Sequence, residues 1–99
     1  MTVSVFASFY PHRESTGQFL DLMAGMVRDS RNEPGCLRYD LYAATGEQSG
    51  YHLFEIYADS AALDAHRAAD HYQAYRAAVP DLLAEPISVL VLDAVDIED

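Results

Sequence analysis

Residues 51–75 read YHLFEIYADSAALDAHRAADHYQAY, and the hydrophobic period changes part-way along this stretch. Its first residues alternate between apolar and polar, as in a strand with one buried face. From Ser60 onward the spacing becomes three and four residues, which is typical of a helix. A strand that runs directly into a helix brings a carboxylate, a phenol and an imidazole towards one cavity: Glu55, Tyr57 and His66. The stretch therefore predicts a pocket that can handle protons.

The same two periods recur along the rest of the chain. Alternation predicts strands, and three-to-four spacing predicts helices, with proline and glycine at their ends. The predicted strands are 2–10, 36–44, 50–58 and 87–95, and the predicted helices are 15–31 and 60–79. The polar segment 45–50 is predicted to join the two middle strands as a hairpin loop.

Three helix caps are predicted from local sequence. Ser15 and Gln18 have the spacing of a capping box, in which the hydroxyl and the amide each bind a backbone N–H. Ser60 is the predicted N-cap of the second helix. A break near Asp70 would divide that helix, and Asp70 would then cap its second segment.

The order of elements is strand, helix, strand, strand, helix, strand, in two similar halves without a linker. Short connections and right-handed crossovers favour a four-stranded antiparallel sheet with both helices on one face. We therefore predict one α+β domain over residues 1–99, with the ferredoxin-like βαββαβ fold. A chain of 99 residues provides a single core and little else.

One face of the predicted sheet cannot be covered by the two helices. The first and last strands nevertheless carry apolar residues on both faces, with Phe6 opposite Val5 and Leu90 opposite Val89. Such a sheet would expose a large apolar patch, which a second copy packed sheet to sheet would bury. We expect a homodimer with twofold symmetry.

The chain is strongly acidic: sixteen Asp and Glu stand against six basic residues, all of them Arg, and the formal net charge is −10. Nucleic acid and anionic membranes are not expected as partners, because both require a positive surface. The apolar runs are shorter than the roughly 20 residues that span a bilayer, and the amino end lacks a secretory signal. The lone Cys36 excludes an internal disulfide and a multi-cysteine metal site. We expect a soluble cytoplasmic protein.

His66 is the candidate general base of the predicted pocket. An unperturbed imidazole titrates at about pH 6.5, close to the pH at which such a base works. The alternative is a structural role, in which a partly exposed helix histidine caps a carbonyl or pairs with Asp64 or Asp70. The sequence leaves both interpretations open.

Glu55 is the second candidate catalytic residue. It alternates with Leu53 and Tyr57 on one face of the third strand, where a carboxylate must be paired or have a raised pKa. It could orient the histidine or hold a substrate hydroxyl. The alternative is a buried ion pair with Arg38 or Arg76.

The other predicted pocket residues are expected to bind the substrate, and the tyrosines among them could stack on an aromatic compound or form a hydrogen bond to it. This predicted set is Leu53, Tyr57, His71, Tyr72 and Tyr75. The alternatives are that the tyrosines fill the core and that His71 has a structural or surface role. On a continuous helix His71 would lie about 140° from His66, so the two histidines converge only if the helix breaks between them. Their five-residue spacing is not a zinc signature, and we predict no metal site.

Three ordered segments of the chain resemble a known family. They are Glu33-Pro34-Gly35-Cys36-Leu37-Arg38-Tyr39, then Phe54-Glu55-Ile56-Tyr57-Ala58-Asp59, then Ala62-Leu63-Asp64-Ala65-His66 with His71-Tyr72. Together with the length, the element order and the final apolar strand, they resemble the antibiotic biosynthesis monooxygenase domain family, including its quinol monooxygenase-like members. The resemblance implies a dimeric α+β barrel over nearly the whole chain. At the position of Tyr57 the family commonly has Trp, which this sequence lacks altogether.

The resemblance also implies a class of activity. Characterised members oxygenate electron-rich phenols or quinols with molecular oxygen and use no metal, flavin or haem. We therefore expect a cofactor-independent monooxygenase that acts on a small aromatic, phenolic or quinol compound, with His66 as base. Two alternatives stay open: an isomerase that moves a proton on a small metabolite, and a non-catalytic module that binds a small ligand. Haem degradation is disfavoured, because a Trp is expected in such a site.

Overall fold

In the computed structural model, helices cover one face of a four-stranded antiparallel sheet. The structure describes residues 1–46 and 50–98. The strands are β1 Val3–Phe9, β2 Cys36–Ala43, β3 Tyr51–Tyr57 and β4 Ser88–Asp93, and the helices are α1 Thr16–Arg31, α2 Ser60–Ala68 and α3 Asp70–Ala78. Short 3₁₀ turns, Arg13–Ser15 and Val79–Leu82, precede α1 and follow α3. The sheet order is β2-β3-β1-β4.

The predicted ferredoxin-like arrangement of strands and helices is confirmed. The predicted strands extend one or two residues beyond the observed ones at most ends, and the helix predicted over 60–79 is divided into α2 and α3. The predicted hairpin loop at 45–50 contains residues 47–49, which lie outside the described residues.

The capping box predicted at the start of α1 is not formed. Ser15 occupies the cap position, but it also ends the 3₁₀ turn, and its backbone ψ is 0°. A cap residue usually has an extended backbone, which directs its hydroxyl at the first turn. In the observed geometry the Ser15 side chain makes no cap hydrogen bond, so Gln18 has no reciprocal partner.

The cap of α2 lies one residue earlier than predicted. Asp59, rather than Ser60, has the extended backbone of a cap, and its carboxylate accepts a hydrogen bond from the Ala62 N–H at 2.8 Å. Asp70 is not a cap either, because Ala69 holds that position and Asp70 lies in the first turn of α3. There its negative charge stabilises the positive end of the helix dipole.

A one-residue break separates α2 from α3. Ala69 leaves the helical region with φ −68° and ψ 147°, so the chain changes direction there. The Ala69 N–H still donates to the carbonyl of His66 at 3.2 Å, which closes the last turn of α2. His66 and His71 are therefore not separated by the 140° expected on a continuous helix. The centroids of their rings lie 6.0 Å apart.

The main core lies between the sheet and α1. Alternate residues of β1 and β3 are buried, as the strand period of two requires. Phe9 and Leu53 from the sheet meet Phe19 and Met23 from α1, and all four side chains are fully buried. Leu53, which was predicted to bind substrate, is thus part of this core.

A tight turn before β2 packs directly against α2. Gly35 follows Glu33 and Pro34 in this turn, and its carbonyl accepts a hydrogen bond from the Ala58 N–H at 2.9 Å. A Cβ at residue 35 would overlap the Cβ of Ala62 in α2. Glycine permits this close approach because it has no side chain. The contact therefore sets how near Glu33 comes to the side chains of α2.

The last strand is exposed on both of its faces. The apolar residues Val89 to Leu92 of β4 are between 38% and 55% exposed. On the face turned away from the helices, Phe54, Phe6 and Leu90 lie side by side across three strands. The helices thus leave an apolar surface of the sheet uncovered.

None of the described helices has the length and hydrophobicity of a membrane span. The longest helix, α1, has 16 residues, whereas a span needs roughly 20 apolar residues. The cytoplasmic location stays a prediction from the sequence.

Replacing Gly35 by Ala is expected to destabilise the fold and displace α2. The added methyl group overlaps the Ala62 side chain, which is too short to move aside, so the backbone must shift at a cost of about 1–3 kcal/mol. Urea unfolding followed by circular dichroism measures the loss. The matched control is Gly25→Ala in α1, where the new Cβ meets only the flexible end of Arg28 and alanine favours the helix. Equal stability of the two variants would contradict the role of the contact.

Candidate functional site

His66 lies in a buried aromatic cluster between α2 and the sheet. Its side chain is only 2% exposed. The rings of Tyr39, Tyr57 and Tyr72 surround the imidazole, with centroids 5.7, 5.2 and 5.1 Å from its own. These rings exclude bulk water, so a few neighbouring groups determine the protonation of the imidazole.

Glu33 fixes the orientation and tautomer of His66. Both of its carboxylate oxygens face Nδ1 of His66, at 2.8 and 3.1 Å. A carboxylate accepts hydrogen bonds, so we assign the proton to Nδ1, which donates it to Glu33. The other ring nitrogen, Nε2, then carries a lone pair and lies 4.0 Å from Oε1 of Glu55. His66 therefore has the tautomer that a general base requires.

His71 donates to the same carboxylate. Its Nε2 lies 2.6 Å from Oε2 of Glu33, the oxygen that also accepts from His66. The side chains of His66, Glu33 and His71 are 2%, 18% and 23% exposed, in that order. One carboxylate thus joins a buried imidazole to a second imidazole that reaches the surface.

These three side chains also have the composition of a divalent-metal site, and their donor atoms lie within 4.8 Å of one another. An ion bonded at about 2.1 Å to each donor would hold neighbouring donors roughly 3.0–3.4 Å apart. The O···N separations of 2.6 and 2.8 Å are shorter and are ordinary hydrogen-bond lengths. The arrangement described is therefore one of shared protons, and the expectation of no metal site stays a prediction.

Glu55 is buried beside this network, with only 5% of its surface exposed. The Tyr57 hydroxyl donates to its Oε1 at 2.5 Å. Burial raises the pKa of Glu55 to about 7, and the hydrogen bond from Tyr57 and the charge of Arg67 offset only part of this effect. Burial and the neighbouring Glu55 also raise the pKa of Tyr57 above its ordinary value, so this phenol stays protonated and remains a donor.

The structural alternatives considered for Glu55 and His66 are not observed. Arg38 pairs with Asp40 at 2.7 Å rather than with Glu55. Within residues 1–46 and 50–98, Glu55 forms no ion pair with an arginine. His66 bonds Glu33, far away in sequence, instead of an acid of its own helical run.

Burial lowers the pKa of His66, and the hydrogen bond and charge of Glu33 oppose this effect, while His71 and Arg67 add to it. Because the net direction is downward, the imidazole is neutral at neutral pH. Glu55 exchanges its proton at about the same pH. The site therefore holds a carboxyl that exchanges its proton near neutrality and, 4.0 Å away, a neutral imidazole whose Nε2 can accept one.

A cavity of about 20 Å³ lies between the sheet and helices α2 and α3, with room for one water molecule. The predicted residues that line it are Glu55, His66, Tyr72 and Tyr75. Three predicted residues do not line it. Leu53 belongs to the core, Tyr57 donates a hydrogen bond to Glu55, and His71 donates one to Glu33. An aromatic compound is larger than this cavity, so its entry requires side chains of the wall to move.

Four polar residues of the site are absent from the predicted set: Glu33, Tyr39, Arg67 and Arg76. Glu33 directly precedes a Pro-Gly turn, which by itself indicates only a loop, and the histidine that it binds is 33 residues away. The signals in the sequence were the position of Glu33 in the first family-like segment and that of Arg67 beside the candidate base.

Comparison with known proteins assigns the family. Residues 2–78 match the family model described as "Antibiotic biosynthesis monooxygenase". The chain belongs to this family. A relative in Mycobacterium tuberculosis, "Putative monooxygenase Rv0793", is 39% identical over 94 residues, which cover 95% of this chain and 92% of that protein. Another in Bacillus subtilis, "Putative monooxygenase YcnE", is 32% identical over 77 residues, 78% of this chain and 81% of that protein.

Solved structures of the antibiotic biosynthesis monooxygenase family share the fold. The structure of Rv0793 from Mycobacterium tuberculosis matches with a TM-score of 0.94 at 37% identity, and the match covers 100% of both chains. The crystal structure of a protein from Caulobacter crescentus, described as a "putative antibiotic biosynthesis monooxygenase", matches with a TM-score of 0.88 at 29% identity, over 96% of this chain and 91% of that one. The family resemblance found in the sequence is therefore confirmed, and it supports a monooxygenase-like function.

Replacing Glu55 by Gln is expected to stabilise this monooxygenase-family protein most at alkaline pH. The pKa of Glu55 rises from 4.5 to about 7 on folding, so the folded state binds the proton more tightly and loses stability as the pH rises through this range. The difference corresponds to about 3 kcal/mol above pH 7. The amide avoids this loss and still accepts from Tyr57.

Urea unfolding at several pH values between about 4.5 and 8 measures this effect. The stability gain of Glu55→Gln over the wild type should grow from near zero to about 3 kcal/mol across the series. Glu14→Gln, which changes an exposed carboxylate, should show no comparable trend. A gain that does not vary with pH would contradict the raised pKa.

Proposed function

We propose that this chain is a cofactor-independent monooxygenase that oxidises a small aromatic, phenolic or quinol compound with molecular oxygen. Family membership and the names of two relatives support the oxygenase class. The observation that carries the proposal is the state of His66, a buried imidazole whose Nδ1 donates to Glu33 while its Nε2 is free to accept a proton. Cofactor-free oxygenation requires such a base in a dry site.

The substrate itself supplies the electrons for this reaction. Nε2 of His66 removes the proton of a substrate hydroxyl, and the resulting anion gives electrons to oxygen more readily than the neutral compound does. One oxygen atom enters the product and the other leaves as water with the two hydrogens that the substrate loses, so SH₂ and O₂ give SO and H₂O. The rings of Tyr39 and Tyr57, on the sheet side of His66, keep bulk water from the intermediate.

Glu33 acts through His66 and is therefore a positioning residue. Its carboxylate keeps the proton on Nδ1 and stabilises the imidazolium that forms when Nε2 accepts a second proton. His71 shares the carboxylate and reaches the surface, which offers the proton a way out of the site. Glu55 lines the cavity and can hold the substrate hydroxyl through a hydrogen bond.

One observation favours a second candidate function, an isomerase that acts on a small metabolite. Glu55 and His66 line one cavity with carboxylate oxygen and imidazole nitrogen 4.0 Å apart, and the pKa of Glu55 is about 7. Such a pair can remove a proton from one atom of a substrate and return it to another. This chemistry needs no oxygen, so oxygen dependence separates the two candidates.

The test is oxygen uptake with 1,4-naphthohydroquinone and a panel of simple phenols, together with incorporation of ¹⁸O into the product. His66→Ala is expected to lower kcat about 10²–10⁴-fold, because it removes the base. His12→Ala is the matched control, since His12 is exposed and lies outside the site, and it should keep full activity. Turnover that continues unchanged without oxygen would reject the monooxygenase and favour the isomerase.

Glu33→Gln separates a positioning role from a structural one in the same assay. We expect kcat to fall about tenfold or more, because the amide orients the imidazole less firmly. Since Glu33 raises the pKa of His66, its removal should also move the acidic limb of the pH–rate profile to lower pH. Glu14→Gln should change neither quantity. A lower kcat with an unmoved acidic limb would contradict the role of Glu33.

We also propose that the protein is a homodimer that packs the open face of its sheet against a second copy. The support is the apolar surface of the sheet, on which Phe54 and Phe6 are partly exposed and Leu90 and its neighbours in β4 are exposed. Exposed apolar patches of this kind are unusual on monomers and typical of subunit interfaces.

Size-exclusion chromatography with light scattering is expected to give twice the chain mass of 11.0 kDa at micromolar concentration. Leu90→Glu places a charge on the proposed interface and should yield monomers. Leu20→Glu is the matched control, because Leu20 is 39% exposed on α1, on the opposite side of the sheet, and it should remain dimeric. A wild-type mass of one chain would reject the dimer.

A further inference from the structure

Two arginines line the cavity that contains His66. Neither Arg67 nor Arg76 forms an ion pair with an acidic residue in the part of the chain that the structure describes. An aspartate lies within 3.2 Å of each of Arg28, Arg31 and Arg38. Arg13 also has no such partner among the described residues, but it is exposed and lies away from the cavity. In a chain with sixteen acidic residues and six arginines, two cations without acidic partners at one cavity suggest that they serve a ligand.

Arg76 contacts Tyr72, and the ring of Tyr72 separates it from the candidate base His66. Its Nη1 donates to the hydroxyl of Tyr72 at 3.0 Å, and its guanidinium lies 5.9 Å from the centre of that ring. The Tyr72 ring in turn packs edge-on against His66 at 5.1 Å. A phenol is a neutral acceptor that uses one of the five N–H donors of the guanidinium. Arg76 therefore keeps most of its hydrogen-bonding capacity for a ligand.

Arg67 follows His66 in α2 and is half-buried. Its positive charge lowers the pKa of both Glu55 and His66, so it acts on both titratable groups of the cavity. A cation here weakens the imidazole as a base. A negative charge on the bound substrate would offset this effect, because Arg67 is half-buried and opposite charges attract more strongly where water is partly excluded.

The protein as a whole repels anions, because its formal net charge is −10. An anionic substrate therefore needs a local positive surface to bind, and Arg67 and Arg76 provide one at the cavity. The planar guanidinium matches a carboxylate in particular, which it can bind through two parallel hydrogen bonds.

We propose that the substrate carries a carboxylate besides the hydroxyl that is oxidised, and that Arg67 and Arg76 bind this carboxylate at the cavity. The proposal rests on the proposed function for the identity of the reaction. The binding itself requires no turnover, so it can be tested separately.

The same interaction explains how a ring can enter so small a cavity. A carboxylate is a stronger acceptor than a phenol, so it displaces the Tyr72 hydroxyl from Arg76. The Tyr72 ring then loses the hydrogen bond that holds it against His66, and the space that it occupies becomes available. The carboxylate thus both anchors the substrate and opens the cavity of about 20 Å³ to it.

Isothermal titration calorimetry under nitrogen, with 4-hydroxybenzoate and its neutral methyl ester as probes, tests the proposal. The acid is expected to bind the wild type at least about tenfold more tightly than the ester. Arg67→Gln and Arg76→Gln should each reduce the affinity for the acid about tenfold and leave that for the ester unchanged. Arg13→Gln is the matched control, because Arg13 is exposed and does not line the cavity.

Equal affinity for acid and ester, absence of binding by both at millimolar concentration, or an equal loss in Arg13→Gln would overturn the proposal. The acid–ester comparison on the wild type does not depend on whether the variants fold. Tight binding of the acid without any oxygen uptake would support the carboxylate site and reject the monooxygenase. Oxygen uptake with a neutral hydroquinone, together with equal affinity for acid and ester, would support the monooxygenase and reject the carboxylate site.

Discussion

The carboxylate of Glu33, shared by two imidazoles, is the interaction on which the rest of the site depends. It joins the turn before β2 to α2 through His66 and to α3 through His71, at 2.8 and 2.6 Å. A half-buried carboxylate is costly unless hydrogen bonds satisfy it, and these two donors do so. The close contact at Gly35 makes the geometry possible, because a side chain there would keep α2 at a greater distance.

Burial shifts the pKa values of Glu55 and His66 in opposite directions. It raises the pKa of Glu55 and lowers that of His66, because a dry environment disfavours the charged form of each group. The result near pH 7 is a neutral imidazole beside a carboxyl that is only about half ionised. The chemistry of a widely shared fold arises in this way, from a few side chains whose pKa values are set by their surroundings.

The sequence predicted the fold well because the fold depends on hydrophobic period, which is a local property. The strands and the order of elements follow from alternation in β1 to β4, and the position of His66 follows from helical spacing in α2. The role of Glu33 could not be predicted, because it depends on a contact between residues 33 positions apart. The break at Ala69 was foreseen only as an option, since alanine favours helices and gives no local signal for an extended residue. The caps also depend on backbone geometry that the sequence does not show. Ser15 holds the predicted position but ends a 3₁₀ turn, Asp59 takes the place predicted for Ser60, and the extended residue before α3 is Ala69.

The break at Ala69 places the candidate base and the ring that covers it on separate helices. His66 belongs to α2, which rests on the sheet, whereas Tyr72 belongs to α3, which rests on α1 and the following 3₁₀ turn. A swing of α3 about this joint would uncover the imidazole and cost the carboxylate only its bond to His71. The hydrogen bond from Nδ1 of His66 to Glu33 would survive, so the site could admit a larger molecule while the orientation of the imidazole is kept.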